Sequence, residues 1–299
     1  MKLAALMLII IASSEVGLMS ELRKIYQVKN GTGVISTALF MFFFNIFAVA
    51  GGLVLAEPIS ITTSGVMYAT IFSVASLVTA ILCLIGTGWG NISIIITCAS
   101  LGKLVLPTIF GIIVLPEDNI ITAYKVLGFL FAAITLVLNF VPEKSAEKNG
   151  NAFKFKLACI IVFFTQGSAL IIYNIVNRMN IAGDGFVTMY MAISVLLMLL
   201  AIVIAYFRNQ SVFKKEIKGT MTAKSILIII GYAILAFTSD KLSLTCSGMV
   251  PLIFQAPVEF CVPIVVIAII DFIIYRERLS KRQYIQLLTA FLSCGCFMI

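Results

Sequence analysis

The sequence predicts an all-α integral membrane protein, with ten transmembrane helices arranged as two inverted five-helix repeats. Three observations carry that prediction. Of the 299 residues, 61% are hydrophobic and 11% charged, and the mean hydropathy is +1.13. A soluble domain is about half apolar and a quarter charged, so this chain lacks the charges to cover its own surface. The apolar residues also fall in ten long runs, and a run of about 20 crosses the hydrocarbon core. Finally, the second half of the chain echoes the first.

The expected spans are residues 3–20, 34–56, 65–87, 91–115, 121–140, 155–177, 186–206, 224–239, 246–275 and 282–299. The first could pass for a signal peptide, with Lys2 ahead of an apolar core. Glu15 interrupts it, however, and "SELRKIYQVKN" closes it as a membrane anchor would. The second carries Gly51-Gly52, a small-residue pair that lets helices approach closely. The fourth contains Pro107 and the ninth Pro251, Pro257 and Pro263. Proline inside a membrane helix frees carbonyls that a neighbour or a cavity must satisfy. The eighth span is short and the ninth long enough to tilt or break. A polar, charged linker at 141–154 separates a first repeat, 1–140, from a second, 155–299.

Loop charges set the orientation. The loops after spans one, five, seven and nine hold sixteen Lys and Arg, against four on the other side. The positive-inside rule makes those four loops cytoplasmic and puts both termini outside. The expected location is the cytoplasmic membrane of a bacterium, with the lipid bilayer as the first partner.

Composition also excludes functions. The net charge of +8 sits in short loops between spans, where it fixes topology, so no nucleic-acid partner is expected. The chain has no histidine, which disfavours imidazole metal sites. Its seven cysteines all lie in apolar runs, form no CxxC pair and read as small packing residues. No P-loop, GxSxG, HExxH or GxGxxG string is present. Neither an enzyme nor a cofactor is expected.

The internal repeat appears when residues 100–139 are laid over 260–299 at an offset of 160. Val105 meets Val265, Ile109 meets Ile269, Glu117 meets Glu277, Tyr124 meets Tyr284 and Phe131 meets Phe291. Five spans per half start the second half on the opposite side of the membrane. That arrangement suits secondary transporters, whose halves rock about a midplane site. A duplication for packing alone is the competing reading.

The stretch "IIDFIIYRERLSKRQYIQLLTAFLSCGCFMI" (269–299) resembles the end of an EamA-type protein of the drug/metabolite transporter superfamily. Its marks are a helix ending in Glu-Arg-Leu-Ser, a polar turn with Gln, and a final helix rich in small residues. The first half echoes it in "LPEDNIITAYKVLGFLFAAITLVL" (115–138), with Glu117-Asp118-Asn119-Ile120 in place of Glu-Arg-Leu-Ser. The resemblance implies a ten-helix carrier of small metabolites or drugs, working by alternating access as a monomer or homodimer. Proton-coupled export is the first expectation and facilitated or coupled uptake the second. A non-transporting membrane scaffold or partner subunit is the alternative from another class.

Charges inside spans are the candidate site, because an ionisable group at bilayer centre costs roughly 2.5–3.5 kcal/mol on insertion scales. Lys103 lies in the fourth span and Glu259 in the ninth. Glu259 stands one turn before Pro263, the repeat-mate of Lys103, so the two charges lie at similar depth in related helices. They could bind the two ends of a zwitterion, or close a buried ion pair that only fixes packing. Gln255 shares the Glu259 face at i, i+4 spacing. Glu15 could carry a proton between substrate cycles, or snorkel to water and pair with Arg23 or Lys24. The small multidrug resistance branch of the same superfamily uses a first-helix glutamate, which Glu15 resembles in kind. Gln166, its rough counterpart in the second half, forms a polar face with Tyr173, Asn174 and Asn177. Asn45 is the polar residue of the second span. These are expected to line a pathway for a small-molecule substrate, with protons as the coupling ion. Asp240-Lys241 and Asp271 are read as solvated helix ends, and Trp89 as part of the aromatic belt.

Overall fold

The computed structural model describes residues 2–31, 33–55, 61–89, 92–117, 120–140, 152–181, 185–208, 210–273 and 281–298. Eleven helices account for nearly all of them. In order they are α1 (Lys2–Asn30), α2 (Val34–Val54), α3 (Thr63–Trp89), α4 (Ile92–Val114), α5 (Ala123–Phe140) and α6 (Ala152–Arg178). The rest are α7 (Phe186–Arg208), α8 (Gln210–Thr220), α9 (Ala223–Ser247), α10 (Leu252–Ile273) and α11 (Lys281–Met298). Seven of them carry apolar runs long enough to cross a membrane. Shorter apolar runs fill α4, α5 and α11. The protein is a multi-pass, all-α integral membrane protein. Bulky apolar side chains such as Leu200, Ile204 and Leu227 point outward, as an outside made of hydrocarbon allows.

Each expected span has a helix, but three boundaries move. The first helix runs ten residues past its expected end, because Tyr26 is buried against Phe40 in the packed interior. The eighth, expected to stop at 239, continues to Ser247. Its run "TSDKLSLT" lowers hydropathy, yet Ser239 and Ser243 are buried inside the bundle. The ninth accordingly starts only at Leu252. The loop after span seven contains a further short helix, α8. The linker to Asn151, Arg276 and Glu277, and the side chains of Trp89 and Asp271, lie outside the described residues.

Packing follows a regular exchange. Helix α1 packs on α9 and α10 as α6 packs on α3 and α4. Helix α2 packs on α9 as α7 packs on α3. Three contacts join α2 with α7, α4 with α10 and α5 with α11. All of these persist if α1–α5 are swapped, in order, with α6, α7, α9, α10 and α11. Helices α4 and α10 begin 160 residues apart, the offset read from the sequence.

Several glycines sit where helices touch. A Cβ built on Gly17 of α1 would stand 2.8 Å from Val266 Cγ1 of α10. One built on Gly167 of α6 would stand 2.5 Å from the Gly102 carbonyl oxygen and from Leu106 Cδ1 of α4. Val266 and Leu106 stand 160 residues apart in the chain, and Gly17 and Gly167 stand 150 apart. At that spacing Glu15 falls opposite Thr165, while Gln166, its expected rough counterpart, falls opposite Val16. Thr165 bonds Thr79 of α3 at 2.6 Å, and Glu15 lies against Thr238 of α9.

Candidate functional site

Between the two halves lies a cavity of about 390 Å³, bordered by α1, α2, α3, α4, α6, α7, α9 and α10. Its charged lining is Arg23, Lys103, Asp240 and Glu259, two cations and two carboxylates. Lys103 is the twelfth residue of the 23 in α4, so it stands at mid-helix. Two prolines shape the neighbouring backbone. Pro107 and Pro263 have no N–H, so the carbonyls of Lys103 and Glu259, each four residues earlier, lose their intrahelical donor. Each charged residue therefore stands beside a locally loosened turn.

The carboxylates are held by different neighbours. Glu259 Oε1 accepts from Gln255 Nε2 at 2.7 Å, and that amide also donates to the Ser243 carbonyl at 3.1 Å. Gln255 is fully buried and positions Glu259 against α9. Asp240 accepts a hydrogen bond from the Tyr190 hydroxyl. Around them Tyr173 stacks on Phe72 with centroids 5.0 Å apart, and Phe72 meets Tyr190 at 4.5 Å. The Tyr173 hydroxyl is buried beside this pair, within electrostatic reach of Asp240 and Tyr190. Ser73 Oγ lies 2.7 Å from the Tyr190 carbonyl, which fastens α3 to α7 under the rings.

Both Asp240 and Glu259 lie within electrostatic reach of Lys103. Among the described residues, no ion pair within 4 Å joins Lys103 or Arg23 to either carboxylate. Charges held in one cavity and not neutralised by direct contact can be met by water or by a ligand of mixed charge. A dry structural pair would instead have closed to contact distance.

Five of the eight residues singled out from sequence border this cavity: Asn45, Lys103, Gln166, Tyr173 and Glu259. The other three do not. Gln255 supports Glu259 from behind. Asn174 is buried and donates to the Ser247 carbonyl at 2.8 Å, so it ties α6 to the end of α9. Glu15 faces α9 one position away from the lining residue Val16, and its Oε2 is buried without a hydrogen bond. It does not snorkel to Lys24, which pairs with Glu21 at 3.9 Å.

No protein-family model matches the chain, and no curated protein does. Among solved structures 27 chains match, so the fold is a known one. One, described only as "Crystal structure of protein", superposes with a TM-score of 0.67 at 12% identity. It covers 97% of this chain and 93% of its own length. At that identity the likeness concerns the fold alone.

Among the lining residues not singled out from sequence are Arg23, Tyr190 and Asp240. Asp240 was expected at a solvated helix end, but it lies two turns inside α9 and faces the cavity. The legible signal was Ala236, Ser239, Asp240 and Ser243, small or polar residues on one helical face. Arg23 shares its face at i, i+3, i+4, i+7 with Val16, Met19 and Ser20, of which only Ser20 is polar, so its signal is weaker. Replacing Tyr190 by Phe should remove the donor to Asp240. A hydrogen bond to a charged group is worth about 1.5–3 kcal/mol, and cavity water recovers part of it. The expected loss is about 1–2 kcal/mol in reversible unfolding in mixed micelles; unchanged stability would mean that the Tyr190 bond does not hold Asp240.

Proposed function

We propose that this chain is a secondary transporter of the drug/metabolite type, moving a small polar or amphipathic metabolite across the cytoplasmic membrane by alternating access. The observation that carries this reading is the cavity between the halves with Lys103, Asp240 and Glu259 on its wall. An amino acid-like zwitterion fits the chemistry, with its carboxylate toward Lys103 and its ammonium toward the carboxylates. The flanking Phe72, Tyr173 and Tyr190 rings suit either an ammonium or an apolar side chain. The packing exchange between helices supports ten spans in two inverted repeats, the architecture that lets one half rock against the other. A scaffold protein would have no use for charges of both signs held apart around a cavity.

Export coupled to proton entry is the direction favoured here, with Glu15 as the carrier. Its buried, unpartnered oxygen lies beside the cavity wall and outside it, so proton and substrate need not compete for one position. Glu15→Gln should preserve ligand binding and abolish the dependence of flux on a pH gradient. Unaltered dependence would remove Glu15 from coupling. The class of substrate is tested by thermal-shift screening of the purified protein against amino acids, sugars, nucleosides and cationic drugs. A true substrate should raise the melting temperature of the wild-type protein and leave Lys103→Ala unaffected. If no class shifts the wild type and none is carried into proteoliposomes, the transporter reading fails.

A further inference from the structure

Helix α8 borders no part of the central cavity, yet its two faces are sharply different. Phe213, Ile217 and Thr220 recur at i, i+4, i+7 and turn inward, with Thr220 1% exposed. Lys214, Lys215 and Lys218 lie on the opposite face and are all exposed. Arg208 just before the helix and Lys224 just after it are exposed too, and Glu216 on the flank is the acidic residue of this stretch. Five cations held this close repel one another unless something anionic meets them.

The level of the helix in the membrane is marked by aromatics. Phe207, in the last turn of α7, is 75% exposed. Tyr206 packs edge-on against both Phe207 and Phe213, with centroids 5.6 and 5.4 Å away. The amphipathic ring of the half-buried Tyr206, beside a charged turn, belongs at the boundary between hydrocarbon and headgroups. The helix is also fixed before anything binds. Tyr26 Oη lies 2.8 Å from Thr220 Oγ1, and Lys29 Nζ donates to Thr222 Oγ1 at 2.6 Å. Asn30 Nδ2 reaches Ser225 Oγ at 3.0 Å, and Thr222 caps α9 by accepting from the Ser225 N–H. A clasp from α1 thus holds α8 against the bundle, so little ordering remains to oppose binding.

We infer that α8 is a docking site for anionic phospholipid headgroups in the leaflet on its side of the membrane, with Lys214, Lys215 and Lys218 as the headgroup contacts. A cluster of four to eight basic residues next to a transmembrane helix is the electrostatic signature of such recognition. The site does not depend on the transport reading. Exposed lysines are weak ligands for an isolated small anion in water, but a charged bilayer surface offers several anions at once.

The test uses the full chain in phosphatidylcholine bilayers carrying spin-labelled phosphatidylglycerol or spin-labelled phosphatidylcholine. The wild type should prefer phosphatidylglycerol, and the preference should fall as salt rises. Each lysine near an anionic surface is worth about fivefold. Replacing Lys214, Lys215 and Lys218 together by serine should therefore reduce the preference by fivefold or more. Lys154→Ser with Lys156→Ser, exposed on α6, should leave most of it in place. An unchanged preference in the triple variant, or an equal loss in the α6 variant, overturns the inference. Displacement of labelled lipid by millimolar inorganic phosphate would also overturn it, because the site would then select a small anion. Should the triple variant not fold, the salt series on the wild type decides, and a salt-independent preference counts against α8.

Discussion

Lys103→Ala and Glu259→Ala are each expected to abolish substrate flux in proteoliposomes while leaving the protein folded. The two halves of that expectation rest on different energies. A charge-assisted contact to a ligand is worth about 1.5–3 kcal/mol, or roughly 10- to 150-fold in affinity. Folding should respond in the opposite sense. Placing lysine at bilayer centre costs roughly 2.5–3.5 kcal/mol on insertion scales, and no direct ion pair within 4 Å repays that cost here. Lys103→Ala should thus keep or raise the melting temperature while flux is lost. Lys103→Arg keeps the charge but changes its shape and reach, so it should retain partial flux. For Glu259, Gln255 adds a check. Gln255→Ala removes the 2.7 Å bond to Oε1 and should weaken substrate binding without erasing it. Wild-type flux in both alanine variants would exclude the pair from the mechanism. A fall in stability in step with flux would point to a packing role instead.

The contrast between Lys103 and Asp240 shows what one sequence can reveal about such a site. Lys103 is conspicuous because it interrupts an otherwise apolar run, so hydropathy alone isolates it. Asp240 is hidden because it stands among Ser239, Lys241 and Ser243, where low hydropathy reads as the end of a helix. The run is tolerated inside because its polar atoms are satisfied locally. Thr245 Oγ1 bonds the Lys241 carbonyl at 2.9 Å, and Ser239 Oγ donates to the Ala12 carbonyl of α1 at 3.0 Å. Helices were legible from apolar length. Which polar residues face one another was not legible, since rotation of a helix about its axis depends on contacts such as Gly17 with Val266. Helix α8 was missed for a related reason. Eleven amphipathic residues between charged flanks look like a loop until their buried face is known.

The largest effect on stability is expected at Gly102. A Cβ built there would overlap the carbonyl oxygen of Phe163 and stand 2.8 Å from its carbonyl carbon and 3.0 Å from its Cα. All three atoms are backbone in the middle of α6, so no rotamer change can make room. Gly167 lies on the other side of the same contact, 2.5 Å by its built Cβ from the Gly102 carbonyl oxygen. Relief requires α4 and α6 to separate, which opens gaps along one of the tightest helix pairs and shifts Lys103, the next residue. Overpacking a close-packed interior costs about 1–3 kcal/mol where side chains can yield, and here they cannot. Membrane helices also lack a hydrophobic force to hold them together once close packing is lost. Gly102→Ala should therefore cost at least the top of that range, about 3 kcal/mol, and Gly102→Val should yield no monodisperse protein in detergent. Gly51 supplies the control, because nothing lies within 4 Å of its built Cβ. Gly51→Ala should be neutral or stabilising by up to about 1 kcal/mol, the gain in helix propensity. Equal melting temperatures for Gly102→Ala and Gly51→Ala would show that α4 and α6 do not pack as closely as this contact requires.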